Sequence, residues 1–518
     1  MDHSKMNHAA MKHSADGHML MDGTPVWMGI VGLMVIILAT HWLLHYRKTS
    51  TELMDYRRWR IFRFKWVARL VNKTWFPLLV QSASIFFFML VIAAGLIGND
   101  KHNIGPVITW TWWWVLLIFL AMGFGKVFCM ICPWEGISSM VTSLSFRSRV
   151  KKLGFDLPWP KWARNIFPAI IFFIILTWFE LGRDITRSAM WTSILGLIMV
   201  GMAVLSAIVF EKRSFCRYGC LVGRISGLYS LFAPLELRAA SAQVCRDCHT
   251  KECYTGTEAS TACPTFLFPS KLRENSYCTL CTECVRSCPH DNLEINFRPI
   301  ATDLKNKTHF QWDESVLAVV LLSLTSFHGL TMTPHWTHWN GVIRADTGLG
   351  ASTVFTALMG LMILLPIALF WGGAKIARTL AGETNVTAPE IFKAFSYSLI
   401  PIALFYHLAH NCMHFFMEAQ HIVPLLSDPF GFAWNLFGTA GKHYPPLLSL
   451  GTIWYLQIIC VVIGHLYGVV MANRFSHRLF GDSPAAFRSL IPLIFTMILY
   501  SSLSIWLIMQ PMDMRSAM

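Results

Sequence analysis

The chain has 518 residues, 54% of them hydrophobic and only 14% charged, whereas a soluble domain carries roughly a quarter charged residues. That composition excludes an ordinary soluble protein. The formal charge of +14 would suit a nucleic-acid partner, but the basic residues sit in short loops beside apolar blocks, where membrane orientation accounts for them.

Residues 1–24 form a polar, Met/His-rich tail in which His3, His8, His13 and His18 recur every five positions. Met6, Met11 and Met21 each follow one of these histidines by three residues. A disordered tail and a loose copper site both remain open, since thioether with imidazole suits Cu(I). The tail lacks the basic start and short apolar core of a secretory signal.

Apolar blocks of about twenty residues, the length that crosses ~30 Å of hydrocarbon, predict ten spans. They lie at about 25–46, 75–97, 107–127, 166–182, 190–210, 314–330, 352–372, 393–414, 447–472 and 489–510. Residues 25–210 and 314–518 become two membrane domains of about five spans each. The first loop carries Arg47, Lys48, Arg57, Arg58, Arg60, Arg63, Lys65, Arg69 and Lys73; the loop after the third span carries Arg147, Arg149, Lys151, Lys152, Lys161 and Arg164. The alternate loops are poor in such residues. The positive-inside rule therefore predicts cytoplasmic basic loops and outward termini in a bacterial-type inner membrane.

Between the fifth and sixth spans, residues 211–313 form a compact polar domain, cytoplasmic by the same count. A stretch this short buries little core, so bound metal is expected to hold it together. Twelve of the fourteen cysteines cluster between Cys129 and Cys288, which favours metal ligation in a reducing compartment over disulfides. Cys412 and Cys460 lie in apolar segments and read as small buried hydrophobes.

Residues 278–289 read C-T-L-C-T-E-C-V-R-S-C-P. In such a run three close thiolates wrap one cubane, and the fourth reaches a second cluster. The partner run is stretched: Cys245, Cys248, Cys253 and Cys263, followed by Pro264. By this crossing, Cys245, Cys248, Cys253 and Cys288 hold one [4Fe–4S] cluster, while Cys278, Cys281, Cys284 and Cys263 hold the other. Zinc is the competing reading, because paired C-x2-C also suits it. Eight cysteines with two Cys-Pro closures favour iron–sulfur, and hence a bacterial ferredoxin-like α+β domain inserted in a mainly α, polytopic protein.

Two further pairs flank the domain: Cys129 and Cys132 in F-C-M-I-C-P-W-E-G, and Cys216 and Cys220 in F-C-R-Y-G-C-L-V-G. Both are expected at the cytoplasmic membrane face. A joint metal site, a redox-active dithiol and plain packing at helix ends are the alternatives.

With these motifs, residues 75–300 or so resemble the membrane polyferredoxins of periplasmic nitrate reductase and nitrous-oxide reductase systems, and are similar to the iron–sulfur proteins of copper-oxidase assembly. The resemblance implies an electron-transfer subunit or accessory of a respiratory oxidoreductase. Its partners would be a quinone or cytoplasmic donor and a redox protein at the outer side. Two departures stand out: no proline follows Cys220, and no N-terminal flavin-binding domain is evident.

Outside that region, His407, His410, His414, Glu418 and His421 step by 3, 4, 4 and 3, which puts them on one helix face. His328 ends the sixth span on the same side, and His465 lies on the ninth. Ionisable groups within a span point to function. A copper or iron site, a b-type haem, and histidines bonded between helices or lining a quinone pocket all remain open. The rival to an electron conduit is accordingly a metal-handling protein that reduces copper or another metal with the same clusters.

Overall fold

The computed structural model describes residues 11–13, 19–46, 52–73, 75–145, 151–257, 260–382 and 385–513. Most of the Met/His tail lies outside these residues, as do Arg47, Lys48, Arg147 and Arg149.

Thirteen helices carry the argument. In the first half they are α1 (Val26–Tyr46), α2 (Trp75–Ile97), α3 (Ile104–Phe124), α4 (Val127–Ile131), α5 (Pro133–Ser143), α6 (Phe167–Gly182), α7 (Ala189–Val209) and α8 (Leu221–Tyr229). In the second half they are α9 (Trp312–Thr331), α10 (Ala351–Ala381), α11 (Leu399–Glu418), α12 (Leu450–Phe480) and α13 (Pro484–Met509). Among the described residues nine helical segments are long and apolar enough to cross a membrane: α1, α2, α3, α7, α9, α10, the Ala388–Ser427 segment around α11, α12 and α13. This is the build of a multi-pass membrane protein.

The tenth expected span is α6. Its 16 residues rise about 24 Å, short of the usual hydrocarbon thickness. Its flanks nevertheless lie at opposite faces. Before it, the Leu157 amide donates to Val209 O (3.0 Å) and the Glu211 amide to Leu157 O (2.9 Å), where α7 leads into the inserted domain. Beyond it, Ser188 Oγ donates to Asp100 Oδ1 (2.7 Å) in the α2–α3 loop. The chain thus runs from one face to the other through α6.

The polar segment between α7 and α9 carries an antiparallel pair, β4 (Leu235–Ala239) with β5 (Leu293–Phe297), in a register running from Leu235↔Phe297 to Ala239↔Leu293. The eight clustered cysteines lie in the chain between these strands. The first loop contributes β3 (Trp59–Arg60) to the other edge of β5. On the same face, Arg474 Nε at the end of α12 donates to Lys305 O (2.8 Å) and Arg478 Nη1 to Lys307 O (2.6 Å). The first loop, the segment between α7 and α9 and the end of α12 therefore lie together at one end of the helices. Two short strands, β1 (Met11–His13) and β2 (Met19–Met21), pair with each other, and β2 pairs with β6 (Met512–Asp513), which brings both ends of the chain together.

Burial separates a hub from a rim. In α9 and the Ala388–Ser427 segment 83% and 89% of the apolar window is buried, against 28% in α2 and α7. Helix α12 lies tight against this hub because Gly464 and Gly468 present no side chain. A Cβ at Gly464 would stand 2.7 Å from Phe405 Cβ, and one at Gly468 would stand 2.9 Å from Ser398 O. Small residues four apart allow such backbone approach where lipid supplies no hydrophobic drive. Beneath the hub, Arg298 and Arg238 are buried with Glu236 and Asp303; Arg298 Nη1 meets Glu236 Oε2 at 3.0 Å and Arg238 Nη2 meets Asp303 Oδ1 at 3.1 Å.

Gly464→Leu is expected to cost about 1–3 kcal/mol by overpacking, seen as a lower Tm of the protein in detergent. Arg298→Met, which removes one of the two buried arginines that pair with Glu236 and Asp303, is expected to cost about 3 kcal/mol in the same measurement.

Candidate functional site

All fourteen cysteines are free thiols. In C-T-L-C-T-E-C the backbone bends through two residues of positive φ, Leu280 (53°) and Thr282 (61°). Short helical turns carry Cys245, Cys253 and Cys284.

The eight cysteines lie within electrostatic reach of one another. Burial, then the charges of Cys288, Cys245, Cys248 and Cys263, push the Cys253 thiol up to about 12. Cys284 is raised well above the usual thiol range by burial, then by Cys281, Cys278, Cys263 and Cys253. Cys263 thus acts on members of both runs. Donors already point at the sulfurs. The Leu267 amide donates to Cys263 Sγ (3.3 Å), the Asn292 amide to Cys288 Sγ (3.4 Å) and Asn292 Nδ2 to Cys245 Sγ (3.2 Å).

The four flanking cysteines meet as a third set. Gly125, at φ 66°, ends α3, and α4 then carries Cys129. Cys132 is extended and caps the N-terminus of α5, where Pro133 takes the first turn. Cys220 holds the same place at the N-terminus of α8, and its Sγ accepts from the Gly223 amide at 3.4 Å. The missing proline after Cys220 therefore leaves the cap intact. The extra residue in C-R-Y-G-C is absorbed by a π-helical turn over Phe215–Gly219, in which the Cys220 amide donates to Phe215 O (2.8 Å).

Positive charge surrounds this third set. Lys126 is fully buried, and burial and then Arg224 lower its ammonium to about 8, while Cys129, Cys220 and Cys216 act in the opposite sense. Burial raises Cys132, Cys216 and Cys220, the last to about 11, with Lys126 and Arg224 working against it. Arg213 Nε pairs with Glu135 Oε1 at 3.1 Å beside them. A cavity of ≈ 500 Å³ is lined by Cys129, Cys132, Cys216 and Cys220 and also by Cys281 of the second set. Trp134, whose indole N–H has no hydrogen-bond partner, lines both this cavity and an apolar one of ≈ 140 Å³ between α2, α3 and α7.

Among the described residues no three His, Cys, Asp or Glu side chains converge closely enough to hold one metal ion.

On α11, His407, His410, His414 and Glu418 are all buried. With His328 of α9 and Glu180 of α6 the three histidines line a cavity of only ≈ 40 Å³. His465 is not brought into this group. Its Nε2 bonds Thr40 Oγ1 (3.0 Å) and its Nδ1 bonds Ser501 Oγ (2.8 Å), which leaves neither nitrogen for a haem or metal. The cavity holds about one water and has no room for a porphyrin, so the haem expectation finds no support in this group. Glu180, Tyr229 and Lys126 belong to these sites but were not anticipated. A lone carboxylate in F-F-I-I-L-T-W-F-E-L-G was the available signal for Glu180; Tyr229 and Lys126 had none.

No described protein family matches the chain, and no solved structure does. Over 198 residues it is 24% identical to the Escherichia coli (strain K12) protein named "Putative electron transport protein YccM", covering 34% of this chain and 52% of that protein. The chain thus spans about half the length of this relative.

Cys248 is half-buried, and the Lys251 amide lowers its thiol. A lower pKa means more thiolate at a given pH. Iodoacetamide at pH 8, applied to metal-stripped protein, is expected to modify Cys248 first and Cys284 and Cys132 last, as read by peptide mass spectrometry.

Proposed function

We propose that this chain is a membrane electron-transfer protein with three four-cysteine centres in sequence. Cys245, Cys248, Cys253 and Cys288 ligate the first [4Fe–4S] cluster, Cys278, Cys281, Cys284 and Cys263 the second, and Cys129, Cys132, Cys216 and Cys220 a third. Such clusters supply one-electron chemistry whose potential follows hydrogen bonds to sulfur, net charge and solvent exposure. The observation that carries the reading is the ≈ 500 Å³ cavity shared by the third set and Cys281, because it brings the two proposed centres to one space. The name of the E. coli relative points the same way.

The chain's own residues do the tuning. Asn292 and the Leu267 and Gly223 amides stabilise charge on sulfur, while Lys126 and Arg224 offset it at the membrane face. A basic cleft of ≈ 950 Å³, lined by Arg58, Arg164, Arg217, Lys271 and Arg273, opens beside Leu267 and suits an acidic electron donor. The apolar cavity at Trp134 suits a quinone ring as the membrane acceptor. The metal-handling alternative rests on the tail, most of which lies outside the described residues.

Anaerobically purified protein is expected to contain about twelve irons per chain, and Cys281→Ser about four fewer. About eight irons in the wild type would confine clusters to the domain and leave the juxtamembrane set as dithiols. Zinc with almost no iron would overturn the reading. Asn292→Leu is expected to lower the potential of the first cluster, since a donor that stabilises the more negative reduced state is lost; redox titration followed by EPR checks the sign.

A further inference from the structure

The cysteine centres do not use the polar stripe of α11, yet the two are joined. Helix α8 begins at Cys220 and ends at Tyr229, whose hydroxyl meets His407 Nδ1 at 3.2 Å. From there the stripe is continuous. The His410 ring stands 4.9 Å from His328 and 4.8 Å from His414, centroid to centroid. His414 Nδ1 meets Glu418 Oε1 at 3.4 Å, and His328 Nδ1 lies 3.9 Å from Glu180 Oε1. Past Glu418, His421 is half-buried and within electrostatic reach of Glu418 and His443. From His407 to Glu418 the helix rises about 16 Å, roughly half the hydrocarbon.

What occupies the stripe follows from size. The ≈ 40 Å³ cavity among His328, His407, His410 and His414 is too small for a quinone or a porphyrin, and large enough for a water. His414 Nε2 is buried without a hydrogen-bond partner, and a water in that cavity would satisfy it. Asn411 and Thr325 add polar lining. The titratable groups facing the stripe from other helices are Glu180 on α6, Tyr229 on α8 and His328 on α9; the α3 residues against it are Trp110 and Trp114.

We infer that Glu418, His414, His410 and His407, with the cavity water, form a proton path from the face opposite the cysteines to Tyr229 beneath them. It rests on the electron-transfer reading. An electron added to a buried centre raises negative charge where little water screens it, and a proton brought to His407 offsets that charge. Histidine serves because one ring nitrogen accepts a proton while the other releases one. Along the path each step breaks one O–H or N–H bond and forms the next: Glu418 to His414, His414 to His410, His410 to His407. One proton moves, no electron is exchanged along the stripe, and no oxidant is consumed. Glu180 and His328 form a side branch that stabilises positive charge at His410.

The test uses the full-length protein in weakly buffered detergent with a pH-indicator dye, reduced photochemically while electron and proton uptake are followed together. Wild type is expected to take up protons as it takes up electrons. Glu418→Gln and His414→Gln are expected to slow proton uptake about a hundredfold, while Glu418→Asp keeps it fast. Gel filtration and iron content establish that each variant is folded. Electron uptake with no proton uptake, or wild-type proton kinetics in both Gln variants, would overturn the path and leave the electron-transfer reading standing. Absence of electron uptake would remove both.

Discussion

Negative charge on buried sulfur is the constraint around which the rest is arranged. Four cysteines line one cavity, Cys220 buried and Cys129, Cys132 and Cys216 half-buried, and thiolates there would be costly unless cations and amide donors surrounded them. The chain answers with Lys126 and Arg224 inside the fold, with two cysteines placed at helix N-termini, and with amides aimed at sulfur. A helix N-terminus favours a thiolate for the same reason it favours any anion. Gly125 and the π-helical turn at Phe215–Gly219 are the backbone devices that set these caps in place.

From that face the structure extends both ways. Toward the domain, the β3-β5-β4 sheet and the buried Arg298, Arg238, Glu236 and Asp303 hold the cysteine loops against the membrane half. Into the membrane, α8 leads from Cys220 to the stripe on α11, and α11 is clasped by α12 at Gly464 and Gly468. Rigid packing of these central helices keeps water out, which an intramembrane polar stripe requires.

Much of this was legible in the sequence, for a local reason. Spans announce themselves by length, so every long apolar helix fell among the expected spans, although α10 runs on to Ala381 and α12 to Phe480, past the apolar blocks that marked them. Even α6, short as it is, fell among the expected spans, because its apolar run is uninterrupted up to Glu180. What the sequence concealed depends on distant pairs. The Tyr229–His407 contact joins residues 178 positions apart, and nothing in either segment marks it. His465 shows the converse. It was weighed as a haem or metal partner of the α11 histidines despite its different depth, yet the face it presents meets Thr40 and Ser501, and sequence does not tell which way a helix face turns. The proline missing after Cys220 looked like a departure because sequence does not show that Cys220 still caps α8 without it.

The central claim is that electrons pass from the cysteine domain into the membrane half through Cys129, Cys132, Cys216 and Cys220. Proteoliposomes with trapped ferricyanide and dithionite outside test it directly, using wild type beside the Cys132→Ser/Cys220→Ser double variant at matched content of domain iron. The account predicts rapid reduction of the trapped ferricyanide with wild type, and with the double variant only the slow rate of protein-free vesicles. Equal rates for the two proteins would contradict it.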